Sequence, residues 1–187
     1  MKFSMKKVTV LLADGFEEIE ALTVVDLLRR AKVYVDTVSI TDDYTVRGAH
    51  GIPVQTEDLI TEIDFKESDM IVLPGGMPGT TNLKEDENVR KAVQEAYDDG
   101  RYVAAICAAP TILADMGLLK GKRATCYPDM ESEIEDAYLT GALVATDENI
   151  ITSQGVGTAI DFALKLIEVL ISEEKAVEIA DSIVYQR

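Results

Sequence analysis

The chain has 187 residues, the size of one domain, and can bury a core without disulfides or a structural metal. Its 47% hydrophobic and 28% charged residues exclude wholesale disorder. With 18 Lys and Arg against 34 Asp and Glu, the net charge is −16, so phosphate backbones and anionic lipids would be repelled and neither nucleic acid nor a membrane is an expected partner.

The first apolar run, Val8 to Ala13, is too short for a secretion signal and is rich in β-branched residues, as a strand covered on both faces would be. Asp14-Gly15 ends it, and a helix is predicted from Glu17 to Arg30, with acids at its start and Arg29 and Arg30 at its end. Tyr34 to Ile40 reads as a second strand. Thr45 to Arg47 and Ile52 to Gln55 read as a small hairpin around Gly48-Ala49-His50-Gly51. Met70 to Leu73 is a third long strand, followed by the breaker-rich loop Pro74 to Gly79.

Asn88 to Asp99 has the period of an amphipathic helix, and Tyr102 to Ile106 is the next buried strand. A helix follows from Ala108 to Met116, stopped by Gly117. Two short strands, Leu143 to Thr146 and Ile150 to Ser153, precede helices over Thr158 to Ile171 and Glu174 to Ile183. Strands alternating with helices in this way predict a single α/β domain over 1–187: a doubly wound, flavodoxin-like, mostly parallel sheet with helices on both faces.

In such sheets ligands bind beyond the carboxyl ends of the strands, which directs attention to the residues after Ala13, Leu73 and Ile106. Cys107 directly follows a buried strand and precedes a helix, the layout of a nucleophile elbow. A helix start would lower the thiol pKa and favour the thiolate; a buried, inert cysteine fits the position equally well. Glu20 shares a helical stripe with Val24, Leu27 and Ala31, so it is either turned inward toward the thiol or a solvated helix-start residue like Glu17 and Glu18. If it meets the thiolate it should be protonated, because two adjacent anions repel.

Gly75 and Gly76 either present N–H groups that, with the Ala108 N–H, form an oxyanion site, or make a simple tight turn. No dinucleotide or phosphate-loop spacing occurs, so no cofactor is expected. His50 is the single histidine, in a hairpin turn, and with two cysteines it cannot complete a Cys/His metal cage. Cys107 and Cys126 are far apart, which suits free thiols in a reducing, cytoplasmic compartment; Cys126 reads as a packing cysteine rather than a resolving thiol.

These segments together resemble the ThiJ/PfpI family, in the branch that contains the parkinsonism-associated protein. The resemblance is carried by Leu12 to Glu20, Val72 to Gly76, Ala104 to Pro110 and Thr152 to Thr158. It implies a reactive thiol at Cys107, a hydrogen-bonding partner at Glu20 and an oxyanion site at Gly76. It further implies a homodimer with a contact near Arg47 and the first helix, and glyoxalase or deglycase chemistry on small α-oxoaldehydes or glycated groups in stress protection. A redox-sensing or chaperone-like protein that works through oxidation of Cys107 is the alternative. Two departures stand out. Tyr127 occupies the place of a histidine common in the branch, and Ala108 that of the histidine beside the cysteine in the peptidase-like branch, which removes the base a cysteine peptidase or amidase needs. His50, as the histidine left over, is an accessory candidate.

Overall fold

The computed structural model describes residues 5–186. Its elements run β1 (Lys7–Leu12), α1 (Glu18–Arg30), β2 (Tyr34–Ser39), β3 (Thr45–Arg47), β4 (Pro53–Gln55), β5 (Asp58–Leu59), β6 (Met70–Leu73), α2 (Gly79–Glu85) and α3 (Glu87–Asp98). They continue through β7 (Tyr102–Ile106), α4 (Pro110–Asp115), β8 (Arg123–Ala124), β9 (Tyr138–Leu139), β10 (Val144–Asp147), β11 (Ile150–Ser153), α5 (Ala159–Leu170) and α6 (Glu173–Ser182).

One seven-stranded sheet has the order β10-β11-β7-β6-β1-β2-β5. Its neighbours pair in parallel except β10 with β11 at one edge, the hairpin closed around Asp147 and Ile150. The alternation of a strand side chain from face to face explains why the runs are apolar throughout. Val8, Val10 and Leu12 enter the core shared with α1, α5 and α6, whereas Leu11 and Ala13 enter the core formed with α3 and α4. The fold is thus the expected doubly wound parallel sheet with helices on both faces.

Local chemistry sets the helix ends. The Glu17 carboxylate caps α1 by accepting the Glu20 N–H at 2.7 Å, and Asp86 caps α3 by accepting the N–H groups of Asn88 and Val89. The expected strands and helices are present within about two residues. The loop after Leu73, by contrast, turns into α2, whose Gly-Thr-Thr-Asn start has too little helix propensity to announce it. Strands β5, β8 and β9, of two residues each, are too short to show a period.

Phe162 of α5 is fully buried beneath α1 in the first core. Phe162→Ala should lower the unfolding free energy by about 3–5 kcal/mol, read as a lower urea midpoint with unchanged denaturant dependence.

Candidate active site

Strands β7, β6 and β1 are adjacent in the sheet, so their carboxyl ends bring Cys107, the Gly75-Gly76 turn and the start of α1 together. Cys107 has φ +65°, the left-handed region, which costs a non-glycine residue about 1–3 kcal/mol and persists only where the surroundings enforce it. They do so through two backbone bonds: the Cys107 N–H donates to Ser153 O at 3.0 Å, and the Cys107 carbonyl accepts the Tyr127 N–H at 2.8 Å. Helix α4 starts at Pro110 rather than at Ala108, since the proline ring presets the first helical turn. Residues 107–109 form the elbow between strand and helix.

Glu20 is fully buried, turned into the protein. Its Oε2 accepts the Gly75 N–H at 2.9 Å, and its carboxyl lies in side-chain hydrogen-bonding contact with the Cys107 thiol. Oε1 is buried and lacks a partner of full hydrogen-bond geometry, which a proton held between oxygen and sulfur would supply. The glycines permit this closeness. A Cβ on Gly75 would lie 2.6 Å from both Cys107 Cβ and Glu20 Oε2. Gly76 has φ +92°, and a Cβ there would collide with Glu17 N and sit 2.6 Å from Gly15 O. The backbone N–H groups of Gly76 and Ala108 both donate toward the Cys107 sulfur.

Burial pushes the Glu20 carboxyl up to about 7, with the neighbouring Glu17 adding to the rise and the bonds from Cys107 and Gly75 opposing it. Burial likewise pushes the Cys107 thiol up to about 12, and the negative charge of Glu20 adds to that; the N–H groups of Ala108 and Gly76 pull the other way without prevailing. The expected lowering of the thiol pKa at a helix start is therefore corrected, because a buried thiol beside a carboxylate resists a second negative charge. The two groups titrate as one unit: it loses one proton near neutrality and keeps the other until strongly alkaline pH. The resulting single negative charge can sit on sulfur, which has the two N–H donors, with the proton on Glu20.

The other candidates lie apart from this pair or on its rim. His50 is exposed, with its Nδ1 2.7 Å from Glu18 Oε2 and its N–H donating to Glu18 Oε1 at 2.7 Å, so its bonds run to Glu18. Glu17 and Glu18 are buried, not solvated, since these bonds and the α1 cap occupy their oxygens. Ligand atoms of Glu17, Glu18 and His50 all lie within 4.8 Å of one another, close enough to hold a metal ion, a grouping not legible from sequence spacing. Its place at the positive start of α1 works against a cation there. Cys126 is buried, with its Sγ donating to Tyr127 O at 3.3 Å, as packing requires.

The Tyr127 side chain is 43% exposed at the rim. Gly155, not singled out from the sequence, forms a wall: a Cβ there would lie 3.6 Å from Tyr127 Cδ2, 3.7 Å from Cys107 Sγ and 3.9 Å from Glu20 Oε1. The sequence signal for it was the Gln154-Gly155-Val156-Gly157 loop after β11, whose strand end adjoins that of β7.

The sequence profile of the DJ-1/PfpI family matches residues 6–169. Protein DJ-1 homolog B of Arabidopsis thaliana is 40% identical over 98% of this chain, which spans 42% of that longer protein. The glutathione-independent glyoxalase DJ-1 of Schizosaccharomyces pombe is 33% identical over 91% of this chain and 94% of its own length. The crystal structure of Drosophila melanogaster DJ-1beta superposes with a TM-score of 0.94 at 34% identity, covering 98% of this chain and 100% of that one.

The fold keeps the Glu20 proton up to about 7, whereas the ordinary value is 4.5, so folding is favoured below pH 4.5 and that contribution is lost as pH rises through 7. Glu20→Gln, which keeps a neutral side chain at every pH, should therefore gain stability over the wild type by about 3 kcal/mol between pH 4.5 and 8, measured by urea unfolding across that range.

Proposed function

The chain belongs to the DJ-1/PfpI family, and from that premise we propose that it is a cysteine-dependent, cofactor-independent glyoxalase and deglycase. Its substrates are small α-oxoaldehydes such as methylglyoxal and the groups they glycate, and its role is protection against carbonyl stress. The observation that carries the reading is the buried Glu20 carboxyl against the Cys107 thiol, a pair that gives up one proton near neutrality and shares the one that remains. The Schizosaccharomyces pombe relative named a glyoxalase supports it.

The reaction follows from the pair. The thiolate adds to the aldehyde carbon, forming a C–S bond, while the Glu20 acid gives its proton to the aldehyde oxygen; the N–H groups of Gly76 and Ala108 steady the charge as it leaves sulfur. Glu20, now a carboxylate, removes the hydrogen from the same carbon to give an enediolate. It then returns that proton to the adjacent carbon while the proton on the first oxygen passes to the second, leaving a thioester of a 2-hydroxy acid. Water cleaves the C–S bond and restores the thiol. One carbon is oxidised and its neighbour reduced, so no external oxidant or reductant enters. A carboxyl whose pKa is about 7 serves both as acid and as base at neutral pH.

A peptidase reading lacks a base, because position 108 is alanine and His50 is bonded to Glu18. A homodimer and a cytosolic location belong to the proposal. Ile19 and Leu22 of α1 are exposed, and so is Ile52 in the β3–β4 turn, which is tied to Phe16 and Glu18 at the start of that helix; such apolar residues suit a second copy of the chain. Both cysteines are free.

Purified protein should convert methylglyoxal to lactate, with the rate rising as pH passes through about 7. Cys107→Ala should abolish the conversion and Glu20→Gln should lower it by roughly 10²-fold to 10⁴-fold. Equal turnover by Cys107→Ala, followed by NMR of the product, would reject the reading.

One observation favours oxidation of the same thiol as a second role. The donors aimed at sulfur, together with a protonated Glu20, would hold sulfinate oxygens, and Cys107 is the cysteine that solvent reaches. Titration with peroxide should add two oxygens at Cys107, seen by intact mass and peptide mapping. Gain of oxygen at methionines first would count against it.

A further inference from the structure

The wall formed by Gly155 and Tyr127, whose Gly155 Cβ position is also 3.9 Å from Glu20 Oε1, is built from residues that the chemistry above leaves unused. A point at the Gly155 Cβ position is 3.7 Å from Cys107 Sγ and 3.6 Å from Tyr127 Cδ2, and glycine leaves it empty. With ordinary bond lengths, the atom three bonds from sulfur in an adduct falls at such a distance. In a hemithioacetal formed at the aldehyde carbon, two atoms lie three bonds from sulfur, the ketone oxygen and the first atom of the substituent on the ketone carbon, and the Tyr127 ring suits the second. It would meet the Tyr127 ring at the separation where carbon contacts are most favourable.

Beyond that atom the rim is open. Tyr127 is 43%, Val156 42% and Met77 53% exposed, each next in the chain to a site residue or bonded to one.

We propose that Tyr127 and Gly155 select the substrate, so that the preferred α-oxoaldehyde carries an aromatic or comparably large apolar substituent, seated on the Tyr127 ring over Gly155. The proposal rests on the glyoxalase reading and specifies its substrate class. Offset or edge-on packing of two aromatic rings adds to simple burial, and a methyl substituent forgoes it. The Tyr127 side chain offers an aromatic face to the seat, so its contribution lies in contact.

The test compares kcat/KM for phenylglyoxal and methylglyoxal. The wild type should favour phenylglyoxal by tenfold or more. Tyr127→Ala should cut that ratio at least fivefold, Tyr127→Phe should preserve it, and Gly155→Ala, whose added methyl makes only ordinary contacts in the resting protein, should lower it by filling the seat. An unchanged ratio in Tyr127→Ala, or a ratio lost in Tyr127→Phe, overturns the proposal. If neither aldehyde is consumed, the glyoxalase reading fails. The seat is then judged by alkylation of Cys107 with phenacyl bromide against bromoacetone, where the same fivefold fall in Tyr127→Ala supports it and an unchanged ratio rejects it.

Discussion

The site depends on a contact that two ionised groups could not maintain: a carboxyl with no solvent exposure pressed against a thiol. Burial and mutual repulsion both oppose a second negative charge, so the pair goes through the neutral range with one proton between them. With that single shared proton on Glu20, the pair presents a thiolate beside a neutral acid. A solvent-exposed glutamate would ionise well below neutrality and leave the sulfur with a carboxylate that could only receive a proton. A cysteine without the carboxyl would keep the two N–H donors but have no group to hand on a proton.

The sheet and its turns hold the pair in place. Parallel strands β6 and β7 deliver Gly75 and Cys107 side by side, and β1 feeds α1 so that Glu20 points back over them. Each closeness is enforced locally. The bond from Gly75 N–H to Glu20 fixes the carboxyl, the Glu17 cap fixes the helix turn bearing it, and bonds to Ser153 and Tyr127 hold Cys107 in a left-handed conformation. A side chain on Gly75 would occupy the space in which carboxyl and thiol meet. Strain at Cys107 and a desolvated acid at Glu20 are stability costs concentrated at one point and carried by two apolar cores on either face of the sheet.

The sheet was readable from sequence because its strands are continuous β-branched runs and its long helices carry caps and clear periods; α2 and the two-residue strands have neither. The elbow at Cys107 was readable for the same reason, since a buried strand ending in cysteine before small residues leaves few alternatives. The ionisation of the thiol was not. Helix position argues for a lowered pKa, and what reverses it is the three-dimensional sum of burial and the Glu20 charge, neither of which has a sequence period. Glu20 was ambiguous because its helix is apolar over a wide arc. Glu17 and Glu18 were misread as solvated since their partners, the Glu20 N–H and His50, come from the cap geometry and from a hairpin 32 residues away.

Tyr127 and Gly155 show how selectivity can change while the reacting pair stays fixed. Tyr127 is tied in through its backbone, by the bond from its N–H to the Cys107 carbonyl, so the side chain at this position can vary without disturbing the elbow. Tyr127 contributes a flat apolar face there. The proton chemistry is thereby confined to Glu20 and Cys107, and the opposite wall is left to choose what those two groups are offered.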